Sequence, residues 1–405
     1  MDTSGIGRRV SYWRNRRRLT QAEFGALMGK SRRWVQDLEG GHRQSDPRLS
    51  VLERAAEVLH IRLETLLSDQ SMRSNSQCVD ATELAEIRRT MHRHDVLTGA
   101  FAESSRIEPE ALRRNVAYGW MAFQGSDYSP LGRVLPQLLV EANRTAAQAA
   151  GEQLTTAFRL LTMTYQLTAA VATKFGDDAL AWHAADRAVV AAEHSGDPVA
   201  IAGAARHLCD AMFHRGHSRE AVEFATATAA RHERALVSQG AQGLSVLGML
   251  YLKAAMAAAH IESRSDVPGL LAEAEQAADR LGADGNAQWT AFGPTNVRIH
   301  QVSALVRMCE GARAVNTAEG IEPPRLSALP RERRALHLVD VARALAQSAR
   351  RDEAVAVLLN AEREAAEEVR CRPRTRQLIE ELRLLGVGAA ESRLRGLAAR
   401  CGLPA

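Results

Sequence analysis

Residues 19–41 constrain the fold of this chain most strongly, because they predict two short helices joined by a tight turn. The stretch reads LTQAEFGALMGKSRRWVQDLEGG. Thr20 and Glu23 have the spacing of a capping box, which starts a helix. Gly29 then predicts the end of that helix, and Ser31 predicts the N-cap of the next one. Both helices have apolar residues at helical spacing and can share one small core: Phe24, Met28, Val35 and Leu38.

The second of these helices opens with Arg32 and Arg33, which its pattern leaves outside the core. Guanidinium groups pair with guanine edges in the major groove of DNA, and a helix N-terminus binds phosphate. Charge supports the same interpretation, since residues 1–69 hold 13 Arg or Lys against 9 Asp or Glu, whereas the other 336 residues hold 39 of each. The whole formal excess of +4 therefore lies in one segment, as expected of a segment that neutralises phosphate.

Residues 6–67 resemble the Cro/C1-type helix-turn-helix domain of the XRE regulator family. The resemblance implies five helices, namely Ile6 to the basic run at 16–18, Leu19–Met28, Ser31–Glu39, Leu49–Leu59 and Leu63–Leu67. It also implies that Gln21 contacts phosphate and that exposed positions of the third helix read bases, which here are Arg32, Arg33, Gln36 and Asp37. The predicted DNA-contacting set is completed by Lys30, Ser31, Trp34 and Arg43.

Two of these positions depart from the family pattern. Lys30 occupies a turn site that is commonly apolar, and Asp37 places a negative charge on the side that would face the groove. An aspartate there can accept a hydrogen bond from cytosine N4, or it can repel phosphate. The DNA sequence that the third helix prefers therefore stays open at this stage.

Beyond the N-terminal unit the chain is predicted to be helical throughout. Residues 68–80 lose apolar periodicity and gather Ser, Asn and Gln, which favour solvated backbone. We therefore expect a DNA-binding domain at 1–69, a linker at 70–80 and a second domain at 81–405. The second domain reads as paired helices at Leu154–Phe175 with Ala179–His194, Pro198–His214 with Ser218–Arg234, Leu244–Ile261 with Pro268–Leu281, Pro294–Cys309, and Arg331–Gln347 with Glu353–Glu368.

These pairs start roughly 40 to 50 residues apart, as in stacked helical hairpins. The segments AWHAADRAVVAAE and GLLAEAEQAADRLG resemble tetratricopeptide (TPR) repeats with lengthened helices. The fold class is therefore all-α, with a five-helix Cro/C1-type domain followed by a TPR-like α-solenoid. The repeat phase of residues 81–150 stays open.

The combination of an XRE reader with a TPR-like solenoid resembles two groups of regulators. One is an actinobacterial group of the same layout, which the stretches at 292–303 and 329–345 also resemble. The other comprises peptide-sensing quorum receptors of Gram-positive bacteria, whose concave solenoid face binds a signalling peptide. The resemblance implies an effector site on this solenoid.

Asn296 is our leading candidate for that effector site, because an asparagine amide can donate to and accept from a peptide backbone together. Pro294 fits the first turn of a helix there. The alternative is that Thr295 and Asn296 only cap or turn the chain between hairpins. Further effector candidates are Tyr165, Trp182, Arg206, Trp289 and His300.

No motif for catalysis or cofactor binding is found. The sequence has no Gly-rich phosphate loop, no His-Glu-x-x-His and no Gly-x-Ser-x-Gly elbow. Cys209 with His214 and His217 lacks a fourth ligand, so we predict no metal site. Five widely spaced cysteines do not indicate a disulfide framework. The N-terminus is basic without an apolar core, and we expect a cytoplasmic protein that is neither an enzyme nor membrane-bound.

Together these patterns predict a dimeric transcriptional regulator that binds double-stranded DNA at a pseudo-palindromic operator. Its solenoid would supply homodimerisation and sense a peptide or small-molecule effector, so the protein would act as a signalling receptor. The competing interpretation is an interaction scaffold, in which the solenoid docks a protein partner and DNA binding is secondary. Repression and activation are equally compatible with the sequence.

Overall fold

The fold is described from a computed structural model, which covers residues 6–17, 19–40, 48–61, 63–67, 81–101, 108–261 and 265–403. Within these ranges every regular element is a helix. This confirms the all-α fold class.

The N-terminal unit contains five helices around one small core. They are α1 (Ile6–Arg16), α2 (Gln21–Leu27), α3 (Arg32–Gly40), α4 (Leu49–Val58) and α5 (Leu63–Leu67). The predicted bounds hold to within about two residues, the usual spread of helix ends. The buried core side chains include those of Ile6, Val10, Trp13, Phe24, Val35, Leu59 and Leu66.

The remaining helices stack as antiparallel pairs. The first part contains α6 (Ala81–Met91), α7 (Pro109–Gly125), α8 (Tyr128–Gln148), α9 (Gln153–Phe175), α10 (Asp178–Ser195), α11 (Pro198–His214) and α12 (Ser218–Ser238). The second contains α13 (Gly240–Ala258), α14 (Val267–Leu281), α15 (Pro294–Arg307), α16 (Gly311–Glu319), α17 (Pro323–Ser327), α18 (Arg331–Gln347), α19 (Arg351–Glu364), α20 (Ala366–Arg370), α21 (Pro373–Leu385) and α22 (Glu391–Arg400). Most of these helices pack mainly on their sequence neighbours, as in a solenoid.

Short polar turns explain why these hairpins form where they do. Helix α9 ends at Gly176 and α10 ends at Gly196, which have φ of +74° and +64°. This left-handed conformation is the one that glycine adopts at helix ends without strain. Each glycine is followed by an aspartate, and the Asp177 and Asp197 side chains accept hydrogen bonds from backbone N–H groups of the next helix. The Gly-Asp pairs therefore end one helix and start another.

Helix α13 lies in the middle of the solenoid core. By length and composition it is the single described helix that could cross a membrane, but 78% of its apolar window is buried inside the fold. Close packing explains its glycine at position 248, because a Cβ there would lie 1.9 Å from Phe292 Cζ. Its apolar character is therefore accounted for by burial in the protein.

The described cysteines differ in their state. Cys209 and Cys401 are buried and free, and Cys309 is exposed and free. Cys371 is disulfide-bonded. The sequence predicts no disulfide framework, and among the described cysteines this is the one that is not free.

A buried ion network joins helices that are far apart in sequence. Lys174 Nζ, at the end of α9, donates to Glu332 on α18 and, at 2.6 Å, to Glu368 on α20. Glu368 also accepts from Arg372 at 2.9 Å and from the Tyr128 hydroxyl at 2.7 Å. The two carboxylates lie 158 and 194 residues from Lys174. The network therefore ties the early hairpins to the late ones.

We predict that Lys174→Met destabilises the protein by about 3–5 kcal/mol, because it leaves two buried carboxylates without their shared cation. Chemical denaturation followed by far-UV circular dichroism measures this loss. The matched control is Arg350→Met, which breaks an exposed pair with Glu353 and should leave the midpoint unchanged within error. Equal effects of the two substitutions would show that the buried network does not hold the fold together.

Candidate functional site

The turn between α2 and α3 has the geometry that the sequence predicts. The Thr20 hydroxyl accepts from Glu23 N at 3.2 Å, and Thr20 N donates to the Glu23 carboxylate at 2.7 Å. Gly29 has φ of +66°, and the Ser31 hydroxyl accepts from Trp34 N at 3.2 Å. The capping box, the turn glycine and the second N-cap are all present, so the start of α3 is fixed relative to α2.

Two glycines allow the helices of this unit to approach closely. A Cβ at Gly25 would lie 2.9 Å from the Lys30 carbonyl oxygen, and one at Gly7 would lie 2.2 Å from the Leu38 carbonyl oxygen. Helix α1 therefore contacts the end of α3 directly, and the turn folds back on α2. The orientation of α3 is set by backbone contacts as well as by the core.

Helix α3 separates its apolar face from a polar one. Val35 and Leu38 are buried, whereas Arg32, Arg33 and Gln36 are exposed. Two further predicted contacts are half-buried, namely Trp34, with Lys30 Nζ 5.9 Å from its ring centroid, and Asp37. The first turn of α3 thus presents two guanidinium groups to solvent on the side opposite the core.

Gln21 and its surroundings differ from the simplest expectation. Its side chain is half-buried, and Nε2 donates to Glu39 at 3.0 Å. Glu39 also binds Arg14 through both carboxylate oxygens, at 2.5 and 3.0 Å. Burial opposes ionisation of Glu39, but the hydrogen bonds from Arg14 and Gln21 outweigh it and lower its pKa. Gln21 is therefore held inside the unit, and its phosphate contact stays a prediction, while Arg43 lies outside the described residues.

A cavity of about 410 Å³ lies in the solenoid. Its charged walls come largely from the first helices of successive hairpins, α9, α11, α13, α15 and α18. Solenoids form extended binding surfaces from successive repeats in this way. Apolar and aromatic groups line part of it, including Trp120, Phe123, Met249, Ile299 and Val339. Its size is typical of a site for a small organic molecule.

The structure brings three of the six predicted effector residues to this cavity: Arg206, Trp289 and His300. It places the other three elsewhere. Asn296 is fully buried, and its amide donates to the Thr290 carbonyl at 3.3 Å, so our leading candidate does not line the cavity. Trp182 lies 5.4 Å from the Arg215 guanidinium. Tyr165 lines a second cavity of about 360 Å³. Ligand contacts by all six stay predictions.

The segment that carries Trp289 has an unusual backbone. Gln288, Trp289 and Ala291 have φ of +52°, +56° and +50°, a left-handed conformation that costs energy in residues other than glycine. The loop is held by Gln124, whose amide donates to Asn286 at 3.0 Å. The Trp289 ring lies parallel to that of Trp120, with centroids 6.4 Å apart. The fold thus holds Trp289 at the cavity in spite of local strain.

Positive charge is the feature of the cavity that sequence reasoning missed. The described lining contains three carboxylates, Asp210, Glu332 and Asp340. It contains eight basic side chains, namely Lys174, Arg206, Lys253, Arg307, Arg333, Arg343, Arg372 and Arg374. Two of the three lysines of the chain are among them. We call this site the cationic cavity. A signal was available in the sequence, since basic residues recur within otherwise apolar first helices.

Histidines of the cationic cavity add no charge near neutral pH. Burial, together with repulsion by Arg333 and Lys253, lowers the pKa of His300 to about 3. Burial likewise lowers the pKa of His214 to about 3 and places that of His207 well below its usual value. These rings are neutral hydrogen-bonding groups beside fixed guanidinium charges.

The residues considered for metal binding are not assembled into a ligand set within the described ranges. Cys209 Sγ donates to the Ala221 carbonyl oxygen at 3.5 Å. Burial raises the pKa of this thiol to about 12, so it is a packing residue rather than a nucleophile.

Comparison with known proteins adds little to this geometry. No family model and no curated protein matches the sequence. Bacillus thuringiensis PlcR, solved with the peptide PapR7 and DNA, shares 13% identity over 69% of this chain and 96% of its own, with a TM-score of 0.33. Aspartyl phosphate phosphatase F from Bacillus subtilis shares 11% identity over 90% and 94%, with a TM-score of 0.43. Both TM-scores are too low for either likeness to carry an argument about this chain.

We predict that Arg14→Met lowers hydrogen-exchange protection across α1–α3 of the intact protein by about tenfold or more, because Glu39 loses charge-assisted hydrogen bonds. Mass spectrometry of peptides from residues 6–40 measures this. Arg32→Met, which removes an exposed guanidinium from the same unit, is the control and should leave protection unchanged. If the two variants behave alike, Arg14 does not support the unit.

Proposed function

We propose that this chain is a DNA-binding transcriptional regulator of the XRE type, in which α3 enters the major groove. The observation that carries the proposal is the exposed pair Arg32 and Arg33 in the first turn of a helix fixed by a capped turn. In helix-turn-helix proteins this part of the second helix contacts base edges. Ser31 and Lys30 lie at the same end of the helix, where phosphate binds favourably.

The rest of the proposal concerns assembly. One such unit reads few bases, so we infer a homodimer that binds two half-sites about one helical turn, or a multiple of it, apart. The protein would act in the cytoplasm, without catalysis or a cofactor. The solenoid would bind an effector. Effector binding changes the DNA affinity only if the effector binds more tightly to one arrangement of the two N-terminal units of the dimer than to another.

A second candidate function is a scaffold whose solenoid docks another protein. Tyr118 and Met121 favour it, because they share one side of α7 and are 51% and 56% exposed. Apolar side chains exposed together often mark a protein interface. The same surface is equally suited to joining two copies of this chain. The exposed pair is therefore compatible with the DNA-binding proposal as well as with the scaffold.

The test is selection of genomic DNA fragments by the intact protein, followed by affinity measurement on the enriched duplex. We predict that Arg32→Ala with Arg33→Ala weakens specific binding by about two orders of magnitude, because each bidentate base contact contributes about 1–3 kcal/mol. Arg48→Ala with Arg54→Ala removes the same charge from exposed sites of this unit. This control should cause a smaller, sequence-independent loss. Equal losses in the two double variants, or no enriched duplex, would refute the assignment.

A further inference from the structure

Arg206 carries a buried positive charge whose hydrogen-bonding groups are not all satisfied by the described residues. Its side chain is 5% exposed and lines the cationic cavity. Nε and Nη2 have no hydrogen-bond partner within the described ranges. The carboxylate one turn further along α11, Asp210, is bound by Lys253. A buried charge without a partner is costly, so its retention here requires an explanation.

The same cavity holds a second cluster of guanidinium groups. Arg307 and Arg374 both lie over the ring of Phe213, at 5.1 and 5.7 Å from its centroid. Nε of Arg307 has no hydrogen-bond partner in the described structure. Burial, together with repulsion by Arg307 and Arg372, lowers the pKa of Arg374 to about 10. Burial and Arg333 act in the same way on Arg206, whose pKa is also about 10.

The carboxylates of the cavity do not compensate for these charges. Glu332 accepts from Lys174, and Asp210 accepts from Lys253. Asp340, which attracts Arg307 more strongly than Asp210 does, is hydrogen-bonded by the Ser303 hydroxyl. Eight basic groups face three carboxylates in the described lining. Glu368 and Glu381, which pair with Arg372 and Arg343 from behind the lining, reduce the surplus from five positive charges to three. A bound anion would balance the charge that remains.

We infer that the cationic cavity binds a small organic polyanion, with Arg206 and Arg307 as direct ligands of clustered phosphate or carboxylate groups. Guanidinium forks match both kinds of oxyanion. A ligand with one carboxylate, such as the C-terminus of a neutral peptide, would leave most of the surplus unbalanced. Trp120 and Trp289, which also line the cavity, would contact the apolar part of the molecule. The inference rests on the proposed function for its role as an effector, but the binding itself can be tested alone.

The experiment is isothermal titration of the intact protein, in buffer of physiological ionic strength, with three polyanions and two controls. Tripolyphosphate and ATP test phosphate ligands, citrate tests carboxylates, and adenosine and acetate are the neutral and singly charged controls. We expect one polyanion per chain to bind saturably, and the class that binds identifies the oxyanion. Arg206→Met and Arg307→Met should each weaken binding by about tenfold or more, the loss expected for a hydrogen bond to a charged group. Arg219→Met, an exposed change outside the cavity, should have no effect.

Thermal unfolding separates loss of binding from loss of fold. Without ligand, Arg206→Met should unfold at the same or a higher temperature than wild type, because it removes an unpaired buried charge. Absence of saturable binding of all three polyanions would overturn the inference. Binding that persists in both cavity variants and disappears in Arg32→Ala/Arg33→Ala would also overturn it, by placing the anion on α3.

The two proposals fail in different ways. Polyanion binding lost in the cavity variants, with no genomic duplex enriched by the protein, would support the site and remove its regulatory role. An enriched duplex without polyanion binding would support DNA recognition and refute the polyanion site.

Discussion

The ion network around Lys174 is the interaction on which the shape of the solenoid most depends. A solenoid is otherwise held by contacts between neighbouring repeats, whereas Lys174 binds carboxylates on α18 and α20. Helix α18 also packs against α7. Early and late hairpins are thereby brought around one space, which is the cationic cavity. The network is stable in its buried position because Glu368 receives further hydrogen bonds from Tyr128 and Arg372.

Arginine has three separate uses in this protein, distinguished by what surrounds it. Arg14 is paired with Glu39 and supports the N-terminal unit. Arg32 and Arg33 are exposed on a helix face without a structural duty in the fold. Arg206 is buried, and its Nε and Nη2 have no hydrogen-bond partner in the described structure. The first kind stabilises the protein, while the other two leave charge available, toward solvent on α3 and toward the cavity on α11. This division of charge underlies both proposals.

Local rules predicted the helix-turn-helix unit well, because its capping box, turn glycine and apolar spacing involve residues close in sequence. The ends of α11 and α18 were also predicted to the residue, since Asp197-Pro198 and Pro330 mark helix starts. The cavity could not be predicted, because its charge surplus depends on which helices face one another. The burial of Asn296 could not be predicted for the same reason, since a polar side chain at a helix start can be turned inward. The short helices after residue 370 lack the paired pattern that identified the others.

The most direct measurement of the central claim is genome-wide footprinting of the tagged intact protein beside its Arg206→Met variant in cells. The account predicts discrete binding sites with two-fold symmetry. The DNA sequence of these sites should be the same in the two strains, and their occupancy should differ several-fold between the strains. The same sites with a changed occupancy would show that the charge of Arg206 in the cavity affects DNA binding by α3 without a direct contact. The account is contradicted if no discrete sites appear, or if occupancy is identical in the two strains.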